Sequence, residues 1–331
     1  MKKTILIVTH SNDHEGVDKV IAHLEADGHH AIRLDTDLFP AKVSLSLFQD
    51  DNGLDYALTT PTARISGAQI DAVWYRRFAP GAGLVGAVDK AYLDAAMGES
   101  REVLLNFLAN LTCFKVDDYW TVRRAGQKEL QLAVARELGM TIPATLISNE
   151  PDQVKAFIKK HKNVVAKMLH SFAVYQDNKE QVVFTSDIQA EHINESLTLC
   201  PMVFQQKIAK QRELRITVVG EQCFCIGLQS QNYSGAEVDW RRQGLQLIDR
   251  WQVEALPAEV QAQCLALCRK LNLNYGAIDI IVDTDGRYVF LEVNPSGEFY
   301  WAEQFNDMAI TRALAQLLSC QPVNPVAVKA A

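Results

Sequence analysis

Two carboxylates and an amide interrupt stretches of sequence that are otherwise apolar. Asp279 stands inside Ala277-Ile278-Asp279-Ile280-Ile281-Val282, and Glu292 stands inside Phe290-Leu291-Glu292-Val293. Asn294 follows Glu292 two residues on, hence on the same face of a strand. The turn Asp283-Thr284-Asp285-Gly286 predicts a hairpin that brings the three oxygen donors together. Such a set suits Mg²⁺, a hard cation that takes one or two protein carboxylates and completes its shell with water and phosphate oxygens. Solvated strand carboxylates are the plain alternative. The flanking Ile, Val, Phe and Leu predict strands buried on both faces, where a carboxylate without a cation is costly. Lys167 ends the apolar run Val164-Val165-Ala166 and Lys128 lies at the start of a helix, so each could counter phosphate charge. Either alone is an ordinary surface lysine. Phe204-Gln205-Gln206-Lys207-Ile208 leads to Arg212-Glu213-Leu214-Arg215-Ile216, where Arg215 alternates with apolar residues and points at the carboxylates' cleft. A nucleotide is the natural partner of this set.

The elements that must position these groups are legible in outline. Thr4-Ile5-Leu6-Ile7-Val8 reads as a buried parallel strand, followed by a helix with Val17, Val20, Ile21 and Leu24 inward and a second strand over 31–35. This is the start of a doubly wound α/β lobe. An antiparallel excursion over 43–58, a strand over 72–75 and a long helix over 92–111 close that lobe near residue 116. A helix over 123–138 opens a compact α+β unit with strands at 144–147, 164–169 and 182–185, a helix at 151–160 and a hairpin around 176–180. The segment 187–195 reads as a short helix capped by Asp187, with Glu191 and Glu195 at i and i+4 on one face. Beyond it lie strands at 202–205, 214–219 and 223–228, a helix over 257–272 and the hairpin already described. The domains are therefore expected at 1–116, 117–195 and 196–320, with a tail over 321–331.

With 33 Lys and Arg against 40 Asp and Glu, the formal charge of −7 argues against a broad nucleic-acid footprint. No apolar stretch reaches the length of a bilayer crossing, and the run after Lys2-Lys3 stops too early for a signal peptide, so the chain is read as cytoplasmic with no membrane partner. Seven cysteines without a paired C-x-x-C pattern suggest neither a disulfide framework nor structural zinc. Gly81-Ala82-Gly83-Leu84-Val85-Gly86 is a literal G-x-G-x-x-G, but Phe78-Ala79-Pro80 separates it from the preceding strand and the first strand-turn-helix carries no glycine cluster. A dinucleotide site is accordingly set aside, as are a P-loop and a G-x-S-x-G elbow.

Lys128, Lys167, the linker 204–208, Glu213-x-Arg215, Asp279 and Glu292-x-Asn294-Pro295 occur in the order and spacing of the ATP-grasp carboxylate ligases. A more specific set resembles the microviridin-type, or graspetide, peptide macrocyclases. It comprises Asp35-Thr36-Asp37-Leu38-Phe39-Pro40, Val73-Trp74-Tyr75-Arg76-Arg77, Lys167-Met168-Leu169, Cys200-Pro201-Met202-x-Phe204-Gln205, Val238-Asp239-Trp240-Arg241-Arg242 and Asn294-Pro295-x-Gly297-Glu298-Phe299.

The resemblance implies an α/β chain with the ATP-grasp fold of three lobes: a doubly wound N-terminal lobe, a central α+β lobe and a C-terminal α+β lobe. It implies ATP and Mg²⁺ as cofactors. Lys128 and Lys167 would meet the phosphates, while Gln205, Gln206, Lys207, Ile208 and Glu213 would line the nucleotide. Gln206 stands where many relatives carry Glu. Arg215 would stabilise the transferring phosphoryl, and Asp279, Glu292 and Asn294 would hold the metal. The implied partner is a precursor peptide with a helical leader, docked near Asp187, Glu191 and Glu195 and met by Arg241 and Arg242. A homodimer is compatible with it. The implied reaction phosphorylates an Asp or Glu side chain, which a Ser or Thr hydroxyl then captures as an ester; the motifs look closer to this branch than to amide formation on Lys. A ligase for small amino acids and a nucleotide-binding regulator are the competing classes.

Overall fold

The computed structural model describes residues 2–51, 53–169, 173–176, 179–182 and 184–320. The expected tail over 321–331 and the tip of the hairpin at 177–178 lie outside the described residues. The N-terminal sheet is parallel throughout, in the order His30–Asp35, Thr4–Thr9, Ala72–Tyr75, Phe114–Val116. Alternation along Thr4–Thr9 sends Ile5 and Ile7 to one face and Leu6 and Val8 to the other. The first face is covered by the helix Gly16–Ala26 and, from the far end of the chain, by the amphipathic helix Ile310–Ser319. The second is covered by the helix Lys90–Asn110 and the three-stranded sheet Ser44–Asp50, Gly53–Thr59, Arg64–Ser66.

Burial on both faces is why these strands read as continuous apolar runs. The glycine motif at 81–86 is a packing device within this lobe. A Cβ at Gly83 would lie 2.8 Å from the carbonyl oxygen of Asp37, and Gly81 takes a left-handed φ of 81° against Met97.

The predicted helix over 123–138 is instead two helices, Tyr119–Ala125 and Lys128–Glu137. Asp118 caps the first by accepting from the amides of Trp120 and Thr121. Gly126 and an extended Gln127 end it, so the second helix starts at Lys128 in a new direction. The central sheet is antiparallel, in the order Ser186–Ile188, Val164–Lys167, Met202–Gln206, Thr145–Ser148, and packs on the helix Pro151–His161. Here the segment 187–195 departs from the predicted helix. Asp187 lies in an edge strand whose residues 186–188 pair with Val164, Val165 and Ala166. The rest forms two separate 3₁₀ segments, Ala190–His192 and Glu195–Leu199, so Glu191 and Glu195 do not share a helical face. The predicted strand at 182–185 is displaced to Lys179–Val182 and Ser186–Ile188.

The C-terminal sheet runs Gln252–Val253, Gln222–Leu228, Lys210–Val219, Tyr275–Asp283, Tyr288–Asn294. One face packs Leu214, Ile216, Ile278, Ile280, Phe290 and Val293 against the helices Ala258–Lys270 and Lys128–Glu137. No helix among the described residues is long and apolar enough to cross a membrane.

Candidate active site

The opposite face of the C-terminal sheet floors a cleft of about 1170 Å³ that also takes walls from the central sheet and from Arg77 at the end of the N-terminal sheet. Strand register places three functional side chains in one row. Arg215 on Lys210–Val219 lies directly opposite Asp279, and Asp279 lies directly opposite Glu292. A register shift follows at once. Ile280 pairs with Phe290, leaving Leu291 without a partner as a bulge. The extra residue lets Phe290 and Val293 both enter the core while Leu291, Glu292 and Asn294 line the cleft. Asp279 and Glu292 thus face a cavity, where strands buried on both faces were expected.

Arg215 donates through Nη1 to both carboxylate oxygens of Asp279, at 3.0 and 3.1 Å. Lys128, first residue of its helix, pairs with Glu292. Asn294 donates through Nδ2 to Asp279 Oδ2 and Glu292 Oε1, both at 3.3 Å, so all three side chains converge on one point. Burial pushes Asp279 above the usual aspartate range against the pull of Arg215, and the charge of Glu292 adds to the rise. Burial acts likewise on Glu292, but Lys128 and Lys167 overcome it and hold that carboxyl below the usual glutamate range.

Two carboxylates and one amide fit an octahedral hard cation that leaves its remaining positions to water and phosphate. No larger cluster of His, Cys, Asp and Glu occurs among the described residues.

Lys167 ends its strand, two residues short of the expected 164–169, and donates to Gln205 Oε1 at 2.7 Å, while Gln205 donates onward to Thr145 Oγ1 at 3.0 Å. Burial depresses Lys167 below the usual lysine range, with Glu292 opposing. Gln206, Lys207 and Ile208 line the cleft beside this lysine, and Lys207 also pairs with Asp187 at 2.8 Å. Glu213 lines it too and accepts from Lys210 at 2.7 Å. Arg241 lines the cleft, held by Asp239 through Nε at 2.8 Å and Nη2 at 2.6 Å. Its hydrogen bonds to that carboxylate raise it further above its ordinary value, burial opposing. Arg242 does not line the cleft: it donates to Thr185 O and Ser186 Oγ and braces the edge of the central sheet. Asp187, Glu191 and Glu195 are also outside the cavity wall.

Three positioning features were not read from the sequence. Buried Gln131, one turn beyond Lys128, donates to Val293 O at 2.8 Å and accepts from Val293 N at 3.1 Å, fixing the residue between Glu292 and Asn294. That i, i+3 relation was the available signal. Arg76, almost fully buried, joins Asp13 and Glu298, each at 2.7 Å, while Arg77 holds the same loop through Ser296 O at 2.8 Å and through Glu298. Trp240, Trp251 and Trp301 pack ring to ring at 5.3–5.8 Å and anchor the excursion that carries Arg241.

Residues 4–123 match the family described as the MvdD pre-ATP grasp domain, and residues 125–318 match the RimK-like ATP-grasp domain. Among solved structures the chain is similar to a RiPP-associated ATP-grasp ligase of Chryseobacterium gregarium in complex with ADP and a leader and core peptide. The two are 39% identical over 97% of this chain and 98% of that one, with a TM-score of 0.92. The macrocyclase MdnC of Microcystis aeruginosa MRC, bound with the precursor peptide MdnA, is 39% identical over 96% of this chain and 100% of its own, with a TM-score of 0.87. MdnB from the same organism is 34% identical over 96% and 99%, with a TM-score of 0.80. No curated protein matches significantly. Two family matches that together span the described lobes, and likeness of this extent to three such enzymes, show that the chain belongs to the RiPP-associated ATP-grasp ligases.

Proposed function

We propose that the chain phosphorylates Asp or Glu side chains of a ribosomally made precursor peptide at the expense of ATP and closes them onto Ser or Thr hydroxyls as ω-ester rings. The observation that carries this reading is the row Arg215, Asp279, Glu292, with Lys128 and Lys167 facing the same cleft. Relatives that crystallise with ADP and with leader, core or precursor peptide support it.

Lys128 and Lys167 meet phosphate oxygens, and the linker Gln206, Lys207, Ile208 borders the adenine. Asp279, Glu292 and Asn294 hold Mg²⁺, which when bound neutralises charge across the phosphates. Arg215 then has a second task beyond Asp279: its guanidinium stabilises the negative charge of the transferring phosphoryl group. A substrate carboxylate oxygen attacks the γ-phosphorus and ADP leaves. A hydroxyl oxygen next attacks the acyl carbon, its proton is lost, and phosphate departs. Arg241, fixed by Asp239, faces the substrate side of the cleft.

The leader docks as a helix along the edge of the central sheet, where Glu191 and Glu195 are exposed and Asp187 is shared with Lys207. We place the reaction in the cytoplasm, where the substrate is made, with a homodimer compatible with it.

Mass spectrometry of the modified precursor before and after mild alkali tests the ester assignment. Each ester ring regains a water in base, whereas a product unchanged by base contains amides and overturns it.

A further inference from the structure

The cleft is more cationic than the chain around it. Nine Lys and Arg side chains line it against seven Asp and Glu, although carboxylates outnumber basic residues in the chain as a whole. Seven of those nine cations are engaged: six in ion pairs with carboxylates and Lys167 with the amide of Gln205. Arg123 and Arg124 are the other two. Both are exposed, and neither forms a hydrogen bond or ion pair among the described residues.

They lie three and four residues beyond Trp120 on the helix Tyr119–Ala125, so the three side chains share one helical face at the lip of the cleft. Trp120 is 62% exposed and packs edge to face with Tyr119, ring centroids 4.9 Å apart. Two unpartnered guanidinia beside an open indole, continuous with a reaction cleft, present planar donors for carboxylates and an apolar surface for the chain that bears them.

We propose that Trp120, Arg123 and Arg124 form a receiving strip for an acidic peptide segment, holding carboxylates of the substrate other than the one being activated. The strip rests on the peptide-ligase reading above and deepens it. It keeps the acidic segment at the mouth of the cleft, so that successive carboxylates reach the Arg215 row without the peptide leaving. Arg77, which also lines the cavity, is committed to Ser296 and Glu298 and is not part of the strip.

The test uses the full chain with ADP and Mg²⁺ at low ionic strength, and a fluorescein-labelled peptide of alternating Thr and Glu compared with its Thr and Gln counterpart. Wild-type protein should prefer the Glu peptide. The double variant Arg123→Gln, Arg124→Gln should lose about tenfold in affinity for the Glu peptide and little for the Gln peptide. Trp120→Ala should weaken both peptides equally. The assignment is overturned if the double variant binds the Glu peptide as wild type does, or if it loses both peptides alike. It is also overturned if an oligothymidylate competes as well as the Glu peptide, since the lip is then a general polyanion surface. ADP affinity is measured in parallel. Wild-type protein that binds ADP but shows no preference for Glu refutes the strip alone, whereas failure to bind ADP refutes the ligase reading beneath it.

Discussion

The side-chain amide of Gln131 pairs with both backbone groups of Val293, acting on the last strand as a neighbouring strand would. It also donates to Ala125 O at 2.7 Å, so one buried side chain ties the two helices flanking Gly126 to the stretch carrying Glu292 and Asn294. Gln131→Met keeps the volume and removes the amide, leaving three backbone groups short of a partner. The expected loss is about 2–4 kcal/mol in urea unfolding, together with a higher Mg²⁺ requirement for turnover. An unchanged midpoint and unchanged Mg²⁺ dependence would show that Gln131 does not position the strand.

The Arg76 network predicts an order of effects. Arg76→Met strands the poorly accessible carboxylate of Asp13 and should cost about 3–5 kcal/mol. Glu298→Gln touches a group that is half exposed and should cost less than about 1 kcal/mol. Denaturant midpoints of the two variants check the ranking, and equal losses would refute it.

Asp239 supplies a pH dependence. Burial raises its carboxyl, but hydrogen bonds and charge from Arg241, with the amide of Thr185, hold it below the usual aspartate range. A depressed folded value means that its contribution is fully present above the ordinary aspartate pKa of about 3.9 and is lost as pH falls through the lower folded value. Because Trp240 and Trp251 bracket the excursion after Asp239, tryptophan fluorescence should report its loosening during an acid titration. Asp239→Asn should show the loosened signal already at neutral pH. Superimposable titrations of variant and wild type would remove this role.

Arg215→Met should lower kcat by about 10²–10³-fold while ADP still binds, the loss expected when a donor aimed at transition-state charge is removed. A change confined to KM would assign Arg215 to ground-state binding.

The row of chemistry was legible because charge inside an apolar strand is rare and period-two spacing fixes the face. Asp279, Glu292, Asn294 and Arg215 stood out on that ground, although Glu292 reaches the face of Asp279 only through the extra residue at Leu291. The bulge at Leu291 was not legible, since it depends on how two strands settle against a shared core. The segment at 187–195 misled for a related reason. Its i, i+4 carboxylates satisfy a helical pattern locally, but pairing of residues 186–188 with the edge at Val164–Ala166 is a tertiary event that outweighs it. Arg242 sits beside Arg241 in the sequence, yet consecutive residues in a 3₁₀ excursion point apart, and it serves the central sheet.

On the proposed function, ATP is consumed to dehydrate a peptide. The purified protein, ATP and Mg²⁺ should be combined with a leader-bearing precursor peptide, and peptide mass and ADP followed together. One ADP and one phosphate should form for each water lost from the peptide, and a folded Glu292→Gln variant should give no conversion. A precursor of unchanged mass, with ADP released equally fast in the presence of free amino acids alone, would contradict it.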